Sequence, residues 1–212
     1  MAKFEERSIP AVFQNRAQQF GERAIVAYKK DGIYTDISWN RMNEMVRNLG
    51  YFLIARGIKP GDKVALFSPN RYEWWVADLA ILSVGAVNVP IYATNSAEES
   101  RYVIENSDSK MCFVATTEHM KKILEVKPKL PNLGEIIIFD NLDKPVDGVI
   151  TLADAMKEGA SKANAKEFDD RINAIKVQDL ATLIYTSGTT GPPKGVMLSH
   201  NNFFANVQQI YN

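Results

Sequence analysis

Residues 185–196, YTSGTTGPPKGV, gather most of the groups in this 212-residue sequence that could handle a charged substrate. Gly188 and Gly191 let the backbone come close to a ligand and adopt conformations closed to other residues. Thr186, Ser187, Thr189 and Thr190 set hydroxyls beside the backbone N–H groups, and Lys194 adds a positive charge. A loop with many donors, a cation and few nearby carboxylates suits a polyanion, and phosphate is its natural guest. A Walker loop, G-x-x-x-x-G-K-[ST], is excluded, because Pro193 and Gly195 flank the lysine. The dinucleotide fingerprint G-x-G-x-x-G is absent as well. On composition alone, such a stretch also fits a flexible hairpin.

Few other residues compete for a chemical role. Cys112 sits in the apolar run MCFVA (residues 111–115) and is expected to be a buried strand residue. A single cysteine excludes an intramolecular disulfide and a Cys-rich zinc site. His119 and His200 show no metal-ligand spacing, and no metal ligand is expected in this chain. His200 follows the loop closely, and a local hydrogen-bonding or packing role is expected rather than acid–base catalysis. Trp74 and Trp75 are expected to pack in the core or between domains, and Tyr185 at the base of the loop.

The loop needs stems. LATLIYT (residues 180–186) reads as the strand before it and GVMLSH (195–200) as the strand after it. A helix is expected over NNFFANVQQIYN (201–212), with Phe203, Phe204 and Val207 short of partners. Upstream, residues 24–38 read as a hairpin about Asp31-Gly32, a pair suited to a type I′ turn. Met42, Met45, Val46, Leu49, Phe52 and Leu53 then mark one face of a helix. Apolar runs at 63–68, 86–92, 111–115 and 135–139 alternate with helical stretches, one opened by a capping box at Ser96 and Glu99. Strands separated by helices predict an α/β fold, a mostly parallel sheet flanked by helices, with an N-terminal hairpin.

The expected organisation is a hairpin and helix over residues 1–58 and a βαβ subdomain over 59–140. A connector over 141–179 and the strand–loop–strand–helix unit of 180–212 complete it. The connector has few large apolar residues and is expected to be mostly solvated, with one helix near 152–159. The glycine-rich loop is expected to be mobile without a ligand, because it has little apolar anchorage.

Twenty-five basic residues balance 25 acidic ones. A protein that grips nucleic acid needs a basic surplus or stripe, so no nucleic-acid partner is expected. The amino terminus, MAKFEERSIP, is charged and lacks the apolar stretch of a signal peptide. The longest mainly apolar run, residues 79–93, contains Asn88 and Pro90 and is too short to cross a bilayer. A cytoplasmic protein without a transmembrane segment is expected; peripheral membrane contact and oligomeric state stay open.

Without a gap, residues 185–196 match the glycine-rich signature of the acyl-adenylate-forming superfamily. That group includes acyl-CoA synthetases, peptide-synthetase adenylation domains and beetle luciferases. SWNRMNE (38–44), KPGDKVALFSPNRYEWW (59–75) and LSVGAVNVPIYATNSAEE (82–99) resemble further family stretches. The last resembles long-chain fatty acid–CoA ligases, although Ala93 and Asn95 depart from the commoner Pro and Ser and leave the acyl chain length open. The resemblance implies activation of a fatty acid by ATP to acyl-AMP, then transfer to CoA. It assigns Thr186, Ser187, Gly188, Thr189, Thr190, Gly191 and Lys194 to the ATP phosphates. It also implies that the adenine-binding, ribose-binding, Mg2+-binding and catalytic residues lie beyond Asn212. No catalytic residue is therefore expected within these 212 residues, and the isolated chain is expected to be inactive. Alternatives are a medium-chain or aryl acid–CoA ligase and a non-catalytic nucleotide-binding module.

Overall fold

The computed structural model describes residues 8–186 and 191–210. It opens with a helix that is not among the elements expected from the sequence, α1 (Ile9–Phe20). The Ser8 hydroxyl caps it by accepting from the Ala11 N–H, and Pro10 occupies its first turn. Hairpin β1 (Ala24–Lys30) and β2 (Ile33–Ser38) follows. Asp31 at φ +50° and Gly32 at φ +84° form its two-residue turn, the backbone signs of type I′. Helix α2 (Trp39–Ala55) is capped by Ser38 and buries all six positions of the expected face.

The main sheet is laid down by β3 (Lys63–Phe67), β4 (Val87–Ile91), β5 (Ser109–Val114), β6 (Ile136–Ile138), β7 (Val149–Thr151), β8 (Leu180–Thr186) and β9 (Lys194–Ser199). Their spatial order is β7–β6–β5–β3–β4–β8–β9, and every adjacent pair is parallel except β8–β9. The α-helices between β3 and β6 are α3 (Tyr72–Ser83), α4 (Ala97–Ser107) and α5 (Thr117–Val126). Strand side chains alternate between the faces. Val64, Leu66, Phe113 and Ile137 meet α2 and α3, whereas Ala65, Phe67, Cys112 and Val114 meet α4 and α5. Both faces of the parallel strands are thus covered, which is why they read as continuous apolar runs. Burying each Leu, Ile or Phe there contributes about 1.5–3 kcal/mol.

Residues 141–179 are mostly exposed and carry a helix near 152–159, both as expected, but they also form elements that the sequence reading lacked. They supply edge strand β7 and two helices, α6 (Leu152–Ser161) and α7 (Ala165–Ala174). Leu152, Ala155, Phe168 and Ile172 are buried in the same core as α2. The segment stays mostly solvated because it packs through a few small or widely spaced residues. A Cβ on Gly159 would stand 1.9 Å from the Asn48 carbonyl oxygen, so α6 approaches the α2 backbone directly. A Cβ on Gly50 would stand 2.2 Å from the Phe168 ring, which fills that notch.

The carboxyl-terminal helix is α8 (His200–Ile210). Phe203 and Val207 are exposed on α8 as expected, whereas Phe204 is half-buried; Val196 and Met197 on β9 are exposed as well. No helix among the described residues is long and apolar enough to cross a membrane.

Candidate functional site

Strand β8 runs parallel to β4 and antiparallel to β9, and the last paired positions of β8–β9 are Thr186 and Lys194. Thr186 and Lys194 therefore stand at the carboxyl edge of the parallel strands, where α/β sheets bind ligands. The Thr182 hydroxyl donates to the Asn88 carbonyl at 2.9 Å and reinforces the β4–β8 junction. Thr186 and Lys194 are both exposed, and Gly191 has φ +114°, in the region that favours glycine. The fold thus brings Thr186 and Lys194 to one place. Ser187, Gly188, Thr189 and Thr190 lie outside the described residues, and so does the expectation that the loop is mobile.

Helix α4 supports both stems of this segment. The Tyr185 hydroxyl donates to Asn106 Oδ1 at 2.7 Å, and the Tyr102 hydroxyl donates to the Pro193 carbonyl at 3.0 Å. The two tyrosine rings meet edge to face at 6.3 Å. Burial raises the Tyr185 phenol above its ordinary value, which keeps it a proton donor. Gly195 leaves room for that ring, since a Cβ there would lie 3.2 Å from it. Tyr185 thus packs at the base of the loop, as expected. Tyr102 and Asn106 were not signalled by the sequence beyond their i, i+4 spacing on a helix.

His200 has the structural role expected of it. It is buried at the start of α8, and its Nδ1 accepts from the Ile9 N–H at 3.3 Å. Its own N–H donates to the Asp179 carbonyl at 3.2 Å. Burial depresses its imidazole to about 4, so it is neutral at pH 7. Between pH 6.5 and 4 the unfolded chain then binds a proton that the folded chain refuses, and stability falls as pH falls through that window. The loss amounts to roughly 3 kcal/mol by pH 4. Denaturation midpoints of the wild type and His200→Gln, followed from pH 7 to 4, should converge or cross. Parallel curves would refute this role.

Cys112 is fully buried, and burial pushes its thiol well up, as suits a core residue. His119 is held by Thr116 Oγ1 at 2.7 Å and the Ala93 carbonyl at 3.2 Å, edge-on to Phe67. No group of three or more His, Cys, Asp or Glu among the described residues could hold a metal ion. The two tryptophans differ from the joint packing expected of them. Trp74 packs on the core, but Trp75 is half exposed and lines an open groove of about 960 Å³ beside Tyr28, Tyr72 and Phe139.

One ion-pair junction escaped sequence reasoning. After β3, Arg71 binds Glu73 through two nitrogens at 2.7 and 2.8 Å, and Asp140 after β6 at 2.9 Å. It joins loops from non-adjacent strands, and both its acidic partners keep the guanidinium firmly charged. With its donors engaged in this way, Arg71 braces the carboxyl edge of the sheet.

The comparisons with known proteins agree with this geometry. The long-chain-fatty-acid–CoA ligase FadD15 of Mycobacterium bovis is 38% identical over 178 residues, 84% of this chain and 29% of the relative. The chain therefore spans under a third of that relative's length. The crystal structure of the anthranilate CoA ligase AuaEII with anthranoyl-AMP superposes with a TM-score of 0.81 at 20% identity, covering 96% of this chain and 36% of that one. The fatty acyl-adenylate ligase from L. pneumophila, solved with acyl adenylate and pyrophosphate, gives 0.73 at 25% identity over 96% of this chain and 32% of its own. The AMP-binding enzyme family matches residues 13–212, and that range contains both the whole main sheet and the loop between Thr186 and Lys194. The chain belongs to the AMP-binding enzyme family.

Proposed function

We propose that this chain supplies the triphosphate-binding part of an AMP-forming fatty acid–CoA ligase with long-chain substrates. The observation that carries the proposal is the pairing of Thr186 with Lys194, both within the YTSGTTGPPKGV segment, at the carboxyl edge of the sheet. The 38% identity to a long-chain fatty acid–CoA ligase supports the choice of acid. Likeness to the anthranilate ligase concerns the fold alone and does not favour an aryl substrate.

The chemistry asks for such a loop. A carboxylate is a poor acylating agent, because its leaving group would be oxide. Its oxygen instead attacks the α-phosphorus of ATP, the α–β bridging P–O bond breaks, and acyl-AMP and pyrophosphate form. The CoA sulfur then attacks the acyl carbon, and AMP leaves with the former carboxylate oxygen. In the first step negative charge grows on the departing pyrophosphate. Fixed donors and a cation stabilise that charge better than water does, since phosphoryl transfer depends mainly on positioning and electrostatics. Lys194 supplies the cation, and Thr186, Ser187, Thr189 and Thr190 the hydroxyls, with Gly188 and Gly191 admitting the phosphates to the backbone N–H groups. Mg2+ would neutralise part of the triphosphate charge. Its protein ligand, like the adenine site and the groups acting on CoA, belongs to residues beyond these 212. The reading fits a cytoplasmic protein.

ATP–pyrophosphate exchange with palmitate tests this. The complete gene product should exchange label in a palmitate-dependent way, and the 212-residue chain alone should not. Robust exchange by the isolated chain, or none by the complete product with any fatty acid, would overturn the proposal.

A further inference from the structure

We propose that Tyr102 is a positioning residue for adenylation: its hydrogen bond to the Pro193 carbonyl holds the outgoing stem so that Lys194 is presented to the ATP phosphates. The inference rests on the phosphate-loop reading above and concerns how that loop is held.

Pro193 lies one residue beyond the last paired position of β9, where ladder bonds to β8 no longer fix the backbone. The hydroxyl that reaches its carbonyl comes from a residue 91 positions away in sequence. Tyr102 stands on a well-anchored support. Helix α4 begins with a complete capping box at Ser96 and Glu99, and Val103 and Ile104 are buried beneath it. One turn further on, Asn106 accepts from Tyr185 on the incoming stem. Tyr102 and Asn106 share a helix face and each secures one stem, so α4 sets the separation and height of the loop ends. The Tyr102 ring against Tyr185 adds packing that survives loss of the hydroxyl. Losing that hydroxyl therefore releases the Pro193–Lys194 stem without dismantling the core.

A stem held by one hydrogen bond fewer should present its cation less often in the productive place. The bond acts only where the phosphates of ATP are held. Thioester formation from preformed acyl-adenylate has no pyrophosphate to stabilise and should not depend on it. This split separates positioning from general damage, which would depress both half-reactions.

The experiment uses the complete gene product with Tyr102→Phe and Lys194→Ala. Tyr102→Phe should lower kcat/KM for ATP in palmitate-dependent pyrophosphate exchange about three- to tenfold, the range of one hydrogen bond. The KM for palmitate, and the rate of palmitoyl-CoA formation from palmitoyl-AMP and CoA, should stay within about twofold. If ATP kinetics are unchanged in Tyr102→Phe but impaired in Lys194→Ala, the tether is wrong while the loop reading stands. If both half-reactions fall together in Tyr102→Phe, the residue is merely structural and the proposal fails. If Lys194→Ala itself leaves ATP kinetics intact, the loop reading falls and takes this inference with it.

Discussion

Alanine at Thr189, Thr190 and Lys194 together should slow ATP-dependent adenylation by the complete gene product about 10³-fold or more, the scale of losing several preorganised donors. On the proposed function each of these groups acts where charge appears as pyrophosphate departs, so the effect should fall on kcat for adenylation as well as on KM for ATP. Lys194→Ala alone should cost about 10²-fold. Lys194→Arg should recover part of that loss, because it keeps the charge while changing the reach and geometry of the donors. The fold should be little affected, since Lys194 is exposed at the start of β9 and outside both apolar clusters. Pyrophosphate exchange and thermal unfolding of the same variants provide the check. Normal turnover of fatty acid and ATP by the triple variant would end the case for this loop.

The phosphate-loop expectation could be drawn from sequence because its chemistry is local: the glycines, hydroxyls and lysine all fall within residues 186–194. The strands were legible for a similar reason. Burial on both faces makes 63–67, 87–91, 109–114 and 136–138 nearly uninterrupted in apolar residues. The hairpin and the α4 capping box follow from short-range turn and cap rules, and both occur where expected. What supports the loop is a different matter. Tyr102–Pro193 and Tyr185–Asn106 join residues 91 and 79 positions apart, and nothing in the local pattern pairs them. Arg71 and Asp140, 69 apart, were hidden for the same reason. Helix α1 is a separate case. Ser8 as cap and Pro10 in the first turn were legible signals, with Phe13 and Ala17 four apart behind them.

Phe168→Ala should destabilise the fold by about 3–5 kcal/mol, the usual cost of removing a fully buried aromatic ring. The prediction tests α7, a packed helix that the sequence reading lacked, within an otherwise mostly exposed segment. Were Phe168 solvated like most of residues 141–179, the same change would fall within about 0.5 kcal/mol. In the fold, the Phe168 side chain is wholly buried against α2. It occupies the notch left by Gly50, stacks edge to face on Tyr51 at 5.4 Å, and lies under the Arg47 guanidinium at 4.9 Å. Arg47 also binds Asp169 at 2.7 Å, which ties the outer side of α7 to α2. Truncation would leave a cavity that Gly50 cannot fill, and the helices meet through backbone nearby at Gly159, so collapse of the site is restricted. Restricted collapse places the cost toward the upper part of the range. Denaturant unfolding of the 212-residue chain, with and without the substitution, measures it; a change below about 1 kcal/mol would mean that α7 does not pack here as described.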